Sequence, residues 1–345
     1  MNRPTDQHKQ ITAPRSFGQH ELVLLALVAL EFFAFALCAR QFTAPANLAN
    51  IVRHSAEIGL LALAMMPIIL TGGIDLSVGS LVGLSAVIFG ELTHTFHLPT
   101  GPAVLLTLTF SSLCGLLNGW LICERKLPPL IVTLGTFSLF RGLAEALTHG
   151  TKTYRDFSSS FLNLSDASFL GLPLQAFLLA MVATIVYLAV HHTVLGIQLR
   201  ACGFSPDGAR YAGIPTERRV RFTYLFAGCI AGGAALLLTA RLHQSRADAG
   251  SGYELASITA VVLGGASIFG GKGNVLGTIL GIIAIALLNN GIGRIPLVLK
   301  LGIGNELSSL ITGALLLVAL AAGNLHRSRN KSSEPVKTPT LPPHE

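Results

Sequence analysis

The sequence has few charged residues and few aromatic residues. Of its 345 residues, only 12% are Asp, Glu, Lys or Arg and 7% are aromatic, whereas 51% are hydrophobic. A soluble globular domain carries about 25% charged residues. A soluble fold of this length is therefore excluded, and the composition predicts a polytopic membrane protein.

Metal-binding and disulfide patterns are also missing. The five cysteines have no C-x-x-C spacing and fall mostly inside apolar runs, so neither a disulfide framework nor a zinc site is expected, and we interpret them as small buried apolar residues. His94 and His97 lie three residues apart with Glu91 nearby. A satisfied or solvated histidine pair accounts for them better than a zinc site does. We expect no metal and no cofactor.

Motifs for nucleotide binding and catalysis are absent from the sequence. The nearest approach to a phosphate-binding loop, residues 269–274, lacks the upstream glycine and the Ser or Thr after Lys272. Ser77 and Ser80 do not form a G-x-S-x-G nucleophile elbow. The net charge of +7 comes from basic residues between apolar runs, which indicates membrane topology rather than nucleic-acid binding. Neither an enzyme nor a self-powered transporter is predicted.

Ten apolar stretches are candidates for membrane spans, which predicts an all-α helix bundle. Two neighbouring pairs have almost no loop between them, so each pair is either two short spans or a broken helix with a re-entrant piece. The prediction is therefore about ten spans, with eight or nine also possible. The first stretch is interpreted as an uncleaved span rather than a signal peptide. The stretches are 22–39, 57–72, 75–93, 102–123, 129–148, 173–192, 222–240, 255–270, 274–292 and 304–323.

The placement of Lys and Arg predicts the orientation. With both termini in the cytoplasm, ten spans place 15 of these residues inside and 8 outside, and Arg141 remains within a span. The polar segments 1–20 and 324–345 are predicted to be disordered cytoplasmic tails around a transmembrane domain at 21–323.

The segment Leu70–Ser80 is the most informative in the chain. It places Asp75 and several glycines between apolar runs, where a carboxylate is expected to be functional or paired. We favour a structural or gating role for Asp75 over direct contact with a solute. A similar glycine pattern at 263–277 is either an internal repeat or a coincidence of glycine-rich segments.

Polar residues in neighbouring spans either line a solute path or bond their own helices. The candidates for translocation or gating are Gly72, Gly73, Asp75, Ser77, Gly79, Asn118, Thr133, Thr136, Arg141, Gly264, Gly265, Gly270 and Gly271.

The loop at 195–222 predicts a short helix that protrudes from the membrane. Ser205 suits the N-cap, Pro206 suits the first helical position, and Gly213 ends the helix. Such a knob suits docking into a groove on a cytoplasmic partner, with Arg210 and Tyr211 as contacts. The alternative is a basic loop that only fixes topology.

Four segments together resemble one family of transporters. Residues 71–80, 131–136, 200–214 and 260–273 are similar, in this order, to the ribose-type permeases of ABC sugar importers, and the resemblance covers roughly residues 20–323. The sequence Gly203-Phe204-Ser205-Pro206 departs from the usual asparagine after the glycine. With residues 247–254, this departure looks most like the branches that carry rhamnose or autoinducer-2.

The resemblance implies an unpowered permease in a bacterial inner membrane. Its implied partners are membrane lipid, a second permease subunit, a cytoplasmic ABC ATPase, a periplasmic binding protein and a monosaccharide or similar polyol. The alternatives are an ion-coupled secondary transporter and a membrane-embedded enzyme. The implied ATPase-coupling residues are Arg200, Ala201, Gly203, Ser205, Asp207, Gly208, Ala209, Arg210, Tyr211, Gly213 and Ile214.

Overall fold

The computed structural model describes residues 18–332, and most of these residues are helical. A two-stranded antiparallel hairpin, β1 (Ser168–Phe169) and β2 (Leu172–Pro173), is the exception among named elements. The helices are α1 Gln19–Cys38, α2 Pro45–Leu70, α3 Val78–His94, α4 Thr100–Cys123, α5 Pro129–Leu147, α6 Ser159–Asp166, α7 Leu174–His192, α8 Val194–Phe204, α9 Pro206–Tyr211, α10 Thr216–Leu242, α11 Tyr253–Leu263, α12 Val275–Ile292, α13 Pro296–Leu301 and α14 Gly304–Ser332.

The helical membrane bundle is confirmed, but the count of about ten spans is not. Between residues 18 and 332, eight helices are long and apolar enough to cross a bilayer, namely α1, α2, α4, α5, α7, α10, α12 and α14. Helix α3 has 17 residues, at the lower limit of the roughly 17–25 that a spanning helix needs, whereas α11 has 11 and is shorter than a full span. The predicted span at 255–270 is wrong in extent, because its second half is not helical.

Several helices extend beyond the apolar stretches that predicted them. Helix α2 begins at Pro45 rather than at 57, and α10 begins at Thr216 rather than at 222. A run of apolar residues marks only the part of a helix that can lie in lipid. The helix itself continues beyond this run through turns that carry polar residues. Helix α14 continues to Ser332, past the expected end at 323. The predicted disorder at 1–17 and 333–345 lies outside the described residues.

Helix α2 is the central element of the bundle. In its most apolar 18-residue window 78% of the residues are buried, against 6% for α1 and 11% for α14. The stretch at 61–66 has no exposed surface at all. A side facing lipid would count as exposed in the structure, so burial on every side shows that other helices surround this part of α2. Any tilt of α2 therefore has to displace its neighbours.

Helices α4 and α10 cross closely because small residues face each other. A Cβ atom added at Gly115 would lie 2.2 Å from the carbonyl oxygen of Tyr224 and 2.9 Å from the Cα atom of Gly228. Small residues at a crossing let two backbones approach closely. In lipid, where no hydrophobic effect drives helices together, such close packing holds them in contact. The α4–α10 contact thus depends on glycine at both positions.

The connections between helices gather at two ends of the bundle. At one end the backbone N–H of Gly271 donates to the carbonyl of Leu70 at 2.9 Å, which joins the breaks after α2 and α11. Helices α8 and α9 lie at this end, which we call the knob end. At the opposite end, the N–H of Arg40 donates to the carbonyl of Arg294 at 3.0 Å and joins the α1–α2 and α12–α13 connections.

Candidate coupling and gating sites

The predicted short helix is present as α9, with the expected caps. The Ser205 hydroxyl accepts a hydrogen bond from the Gly208 N–H at 3.1 Å, and Pro206 occupies the first turn. Gly213 has φ +77°, a left-handed conformation that closes the helix. The N–H of Ile214 then donates to the Ala209 carbonyl at 3.0 Å. Because Ala209 is buried, it packs the helix onto the bundle instead of facing a partner.

Arg210 links the short helix to α10. Its guanidinium lies 2.7 Å from the Glu217 carboxylate and 3.1 Å from that of Asp207. Its Nε atom also donates to the Thr216 hydroxyl at 3.1 Å. The hydrogen bond to Glu217 raises the pKa of Arg210 above its usual value. Arg210 was predicted as a partner contact, but the structure shows it engaged in internal ion pairs.

Two aromatic side chains at the knob point into open space. The side chain of Tyr211 is 94% exposed and that of Phe204 is 84% exposed. Tyr211 is one of the predicted partner contacts, whereas no contact is predicted for Phe204, which is part of the departure from the family pattern. Exposed aromatic residues are unusual on a surface and are favoured as anchors at interfaces. The signal that sequence reasoning missed was an aromatic residue directly before the N-cap.

The base of the knob contacts both helix breaks through the backbone. A Cβ atom on Gly203 would lie 1.9 Å from the Leu70 carbonyl oxygen and 2.5 Å from the Gly271 nitrogen. Gly270 has φ +85°, and a Cβ there would approach the Gly72 nitrogen to 2.9 Å. Only glycine allows this approach. We call these residues, with Leu70, the glycine junction.

Asp75 lies in a buried polar cluster just beyond the glycine junction. Its carboxylate accepts from the Ser77 N–H at 2.8 Å and from the Ser77 hydroxyl at 2.6 Å. The Asn118 amide donates to the same hydroxyl at 2.8 Å, and the Thr133 hydroxyl donates to the Ile74 carbonyl at 3.2 Å. Asp75 has no cationic partner among residues 18–332 and shapes the turn before α3. The structural or gating role of Asp75 stays a prediction.

Arg141 and Gly79 belong to a second group, which holds a non-helical segment against α3. The Arg141 guanidinium donates to the carbonyls of Ala247 and Ala249. A Cβ on Gly79 would collide with Gly250 and with the carboxylate of Glu254. Irregular backbone inside a membrane protein needs such internal partners. The 243–252 segment is therefore anchored against the bundle by polar contacts.

The remaining candidates join none of these three groups. Thr136 bonds the Val132 carbonyl of its own helix at 3.1 Å, as the alternative interpretation predicted. Gly264 packs on Gly277, and Gly265, with φ +88°, lies against His20. The predicted set is thus divided into the glycine junction, the Asp75 cluster and the 243–252 anchor, with a few residues outside all three.

A buried ion pair toward the opposite end escaped the sequence analysis. The Arg241 Nε atom donates to the Glu57 carboxylate at 2.8 Å, and the other oxygen of Glu57 has no partner among the described residues. The Arg241 guanidinium also lies 3.0 Å from the His54 ring nitrogen. Glu57 begins the span predicted at 57–72, and no role is predicted for it. As an ionisable residue inside a span, it carried the same signal as Asp75.

Metal binding has no support in the described part of the chain. No three His, Cys, Asp or Glu side chains there lie close enough to hold an ion. The His94 ring bonds the Arg155 carbonyl and the α3 backbone, so it is satisfied without a metal.

The fold and these sites define a helical membrane permease. The family model described as the branched-chain amino acid transport system / permease component matches residues 47–320. The chain is 34% identical over 318 residues to the autoinducer 2 import system permease protein LsrD of Escherichia coli (strain K12). That alignment covers 90% of this chain and 94% of the relative. The LsrD protein of Salmonella paratyphi B is 32% identical over 323 residues, with 91% and 94% covered.

The chain therefore belongs to this family of importer permeases, and the resemblance found in its motifs is confirmed. It is a multi-pass inner-membrane transport component rather than an enzyme, and the relatives give no support to an ion-coupled transporter. No solved structure matches the chain.

Proposed function

We propose that this chain forms the pathway of an importer for autoinducer-2 or a closely related monosaccharide, driven by a separate cytoplasmic ATPase. The relatives named above are permeases of autoinducer 2 import systems. The sequence lacks a phosphate-binding loop, so its energy has to come from a partner subunit. The family description also includes branched-chain amino acids, which makes the solute class a matter for direct test.

The observation that carries this proposal is the construction of the knob. Helix α9 has a side-chain cap, is joined to α10 through Arg210 and presents Tyr211 to the surroundings, and Phe204 lies exposed at the end of α8. A capped helix with two exposed aromatic anchors is suited to a groove on a partner protein. A loop that served only to set topology would need neither the cap nor the anchors.

The proposed mechanism transmits force from the knob to α2. Movement of α9 shifts Gly203, which contacts Leu70 at the end of α2 and Gly271 before α12. Closely packed backbones leave no slack, so the shift reaches both breaks at once. The Asp75 cluster stabilises the turn between α2 and α3 and would rearrange as the path opens. ATP hydrolysis in the partner thereby alternates access to the two sides.

The same proposal assigns the two ends of the bundle to two compartments. The knob end, with both termini, faces the cytoplasm and the ATPase, and the opposite end receives solute from a periplasmic binding protein. A second permease subunit, either a copy or a relative, completes the pathway within the lipid bilayer. Labelling of an introduced cysteine at Tyr211 from the cytoplasmic side, and not from outside, tests this orientation.

The test of coupling uses the assembled importer in vesicles, with solute-stimulated ATP hydrolysis as the readout. The double variant Phe204→Ala/Tyr211→Ala removes both anchors and is expected to reduce stimulation at least tenfold, because a partner interface depends on a few aromatic contacts. The matched control is Phe96→Ala, which changes an exposed phenylalanine toward the opposite end. Normal stimulation in the double variant would refute the assignment of α9 as the coupling helix.

The solute class is tested by ATP-dependent uptake in the same vesicles. We expect uptake of autoinducer-2, L-rhamnose or D-ribose and none of L-leucine. Leucine uptake, or uptake of any solute without the ATPase, would refute the proposed function. Because selectivity is shared with the binding protein, each solute is presented with its own saturated binding protein.

A further inference from the structure

A cavity of about 1000 Å³, lined by both polar and apolar residues, lies toward the opposite end of the bundle. Its walls come from α2, α11, α12 and α14, with the end of α10 contributing Arg241. This volume is at the upper end of the range of about 300–1,000 Å³ that is typical of small-molecule sites. The cavity shares none of its lining with the glycine junction or the Asp75 cluster, so it is a separate feature of the fold.

The walls carry hydrogen-bonding groups that the protein itself does not use. The residues Ser308 and Thr312 on α14 line the cavity and are each more than nine-tenths buried, and their hydroxyls make no hydrogen bond in the described part of the chain. The amides of Asn50 and Asn289 also line the cavity without internal hydrogen bonds between residues 18 and 332. Polar groups that border a cavity and have no internal partner are available to hydrogen-bond a ligand or water.

The rest of the wall mixes apolar with polar and cationic residues and, among the described residues, contains no carboxylate. Ile282, Ile285 and Ala286 line the cavity on the same helix as Asn289. Arg241 is paired with Glu57, and two further arginines, Arg40 and Arg294, belong to the helix connections at this end. Amides and hydroxyls both donate and accept hydrogen bonds, as the hydroxyls of a polyol do. A cation would find no counter-charge here.

We propose that this cavity is a binding site for one small, uncharged, polyhydroxylated solute. The hydroxyls of the solute bond Asn50, Asn289, Ser308 and Thr312, and its C–H face packs on the isoleucines of α12. The site rests on the proposed function, since the solute is one that the importer carries. It places a solute-binding step within a single permease subunit, between delivery at the opposite end and release at the knob end.

The first test is uptake of D-ribose, L-rhamnose and autoinducer-2 by the assembled importer with the double variant Ser308→Ala/Thr312→Val. Loss of two hydrogen bonds is expected to raise the KM for uptake about tenfold. Stimulation of the ATPase by the loaded binding protein should remain, because the knob is unchanged. The matched control Thr184→Val alters an exposed threonine that bonds only its own helix.

The outcomes separate the two proposals. If the unaltered importer shows no ATP-dependent polyol uptake, the proposed function fails. If it transports polyol and the double variant does so with the same KM, the cavity is not a solute site. A sugar phosphate that competes better than the neutral sugar would also overturn the proposal, because it would assign the arginines rather than the amides to binding.

The second test does not depend on transport. In a variant without the five native cysteines, Asn289→Cys in the assembled complex should react with a polar, membrane-impermeant maleimide, and saturating sugar should slow the reaction. Thr184→Cys is the control and should not respond to sugar. A cysteine at 289 that never reacts would indicate that a second subunit or lipid fills the cavity, which would overturn the proposal.

Discussion

The two ends of the bundle are built on opposite principles. At the knob end, segments from three parts of the chain meet backbone to backbone, and Gly203 has no room for a methyl group beside Leu70 and Gly271. Toward the opposite end, polar and apolar side chains line a cavity. The buried ion pair of Glu57 with Arg241 lies beside it. Transmission of force requires contacts without slack, whereas passage of a solute requires volume and unused hydrogen bonds.

The largest expected effect is at the buried ion pair. Glu57→Gln leaves the Arg241 guanidinium, only 13% exposed, without its counter-charge. Breaking a buried pair in this way costs about 3–5 kcal/mol. We expect a clear loss of thermal stability in detergent. The double variant Glu57→Gln/Arg241→Gln should recover part of it, and a double variant as unstable as the single one would show that charge balance is not the cause.

The second prediction addresses the glycine junction. Gly203→Ala forces a methyl group against the Leu70 carbonyl and should cost about 1–3 kcal/mol of stability, as overpacking does. It should also weaken ATPase stimulation. Gly142→Ala is the control, since a Cβ there meets nothing within 4 Å in the described structure. Equal behaviour of the two variants would mean that the knob end has more slack than its backbone contacts indicate.

A smaller effect is expected at the cap of α9. Ser205→Ala removes the bond to Gly208 and should cost the helix about 1 kcal/mol. Faster hydrogen exchange across 206–211 is the direct measurement, together with a partial loss of coupling. Ser158, at the N-cap position of α6, makes no such bond, so Ser158→Ala should leave α6 unchanged. Unchanged exchange in Ser205→Ala would show that Arg210 alone holds the knob.

The smallest effect is expected at an exposed ion pair, which can be compared with the buried pair toward the same end of the bundle. Lys152 and Glu91 form an ion pair at 3.4 Å on the surface of the opposite end, with the lysine side chain 46% exposed. Exposed pairs contribute little because water screens them and both side chains lose freedom. Lys152→Met should therefore leave the melting temperature unchanged. A loss comparable to that of Glu57→Gln would show that burial does not separate the two pairs.

Much of the knob was predictable because its signals are local. Ser205, Pro206 and Gly213 lie within nine consecutive residues, so the sequence carries the full pattern. The polar cluster was predictable only in part: Asp75 and Asn118 were suspected separately, yet their link through Ser77 joins two helices. The importance of Glu57 depended on Arg241, which lies far along the chain. Sequence spacing contains no information on such a contact.

From the sequence alone, the chain is predicted to be a membrane-embedded helix bundle with a capped knob and no phosphate-binding loop of its own. Hydropathy, helix caps and short motifs are properties of neighbouring residues, so the sequence shows them directly. Tertiary structure alone decided that the knob rests on both helix breaks, that α2 is central, and that amides and hydroxyls from α2, α12 and α14 surround one cavity. Those features depend on packing, which brings distant segments to within van der Waals contact. Local structure follows from neighbouring residues, whereas the sites form only when the fold brings distant residues together.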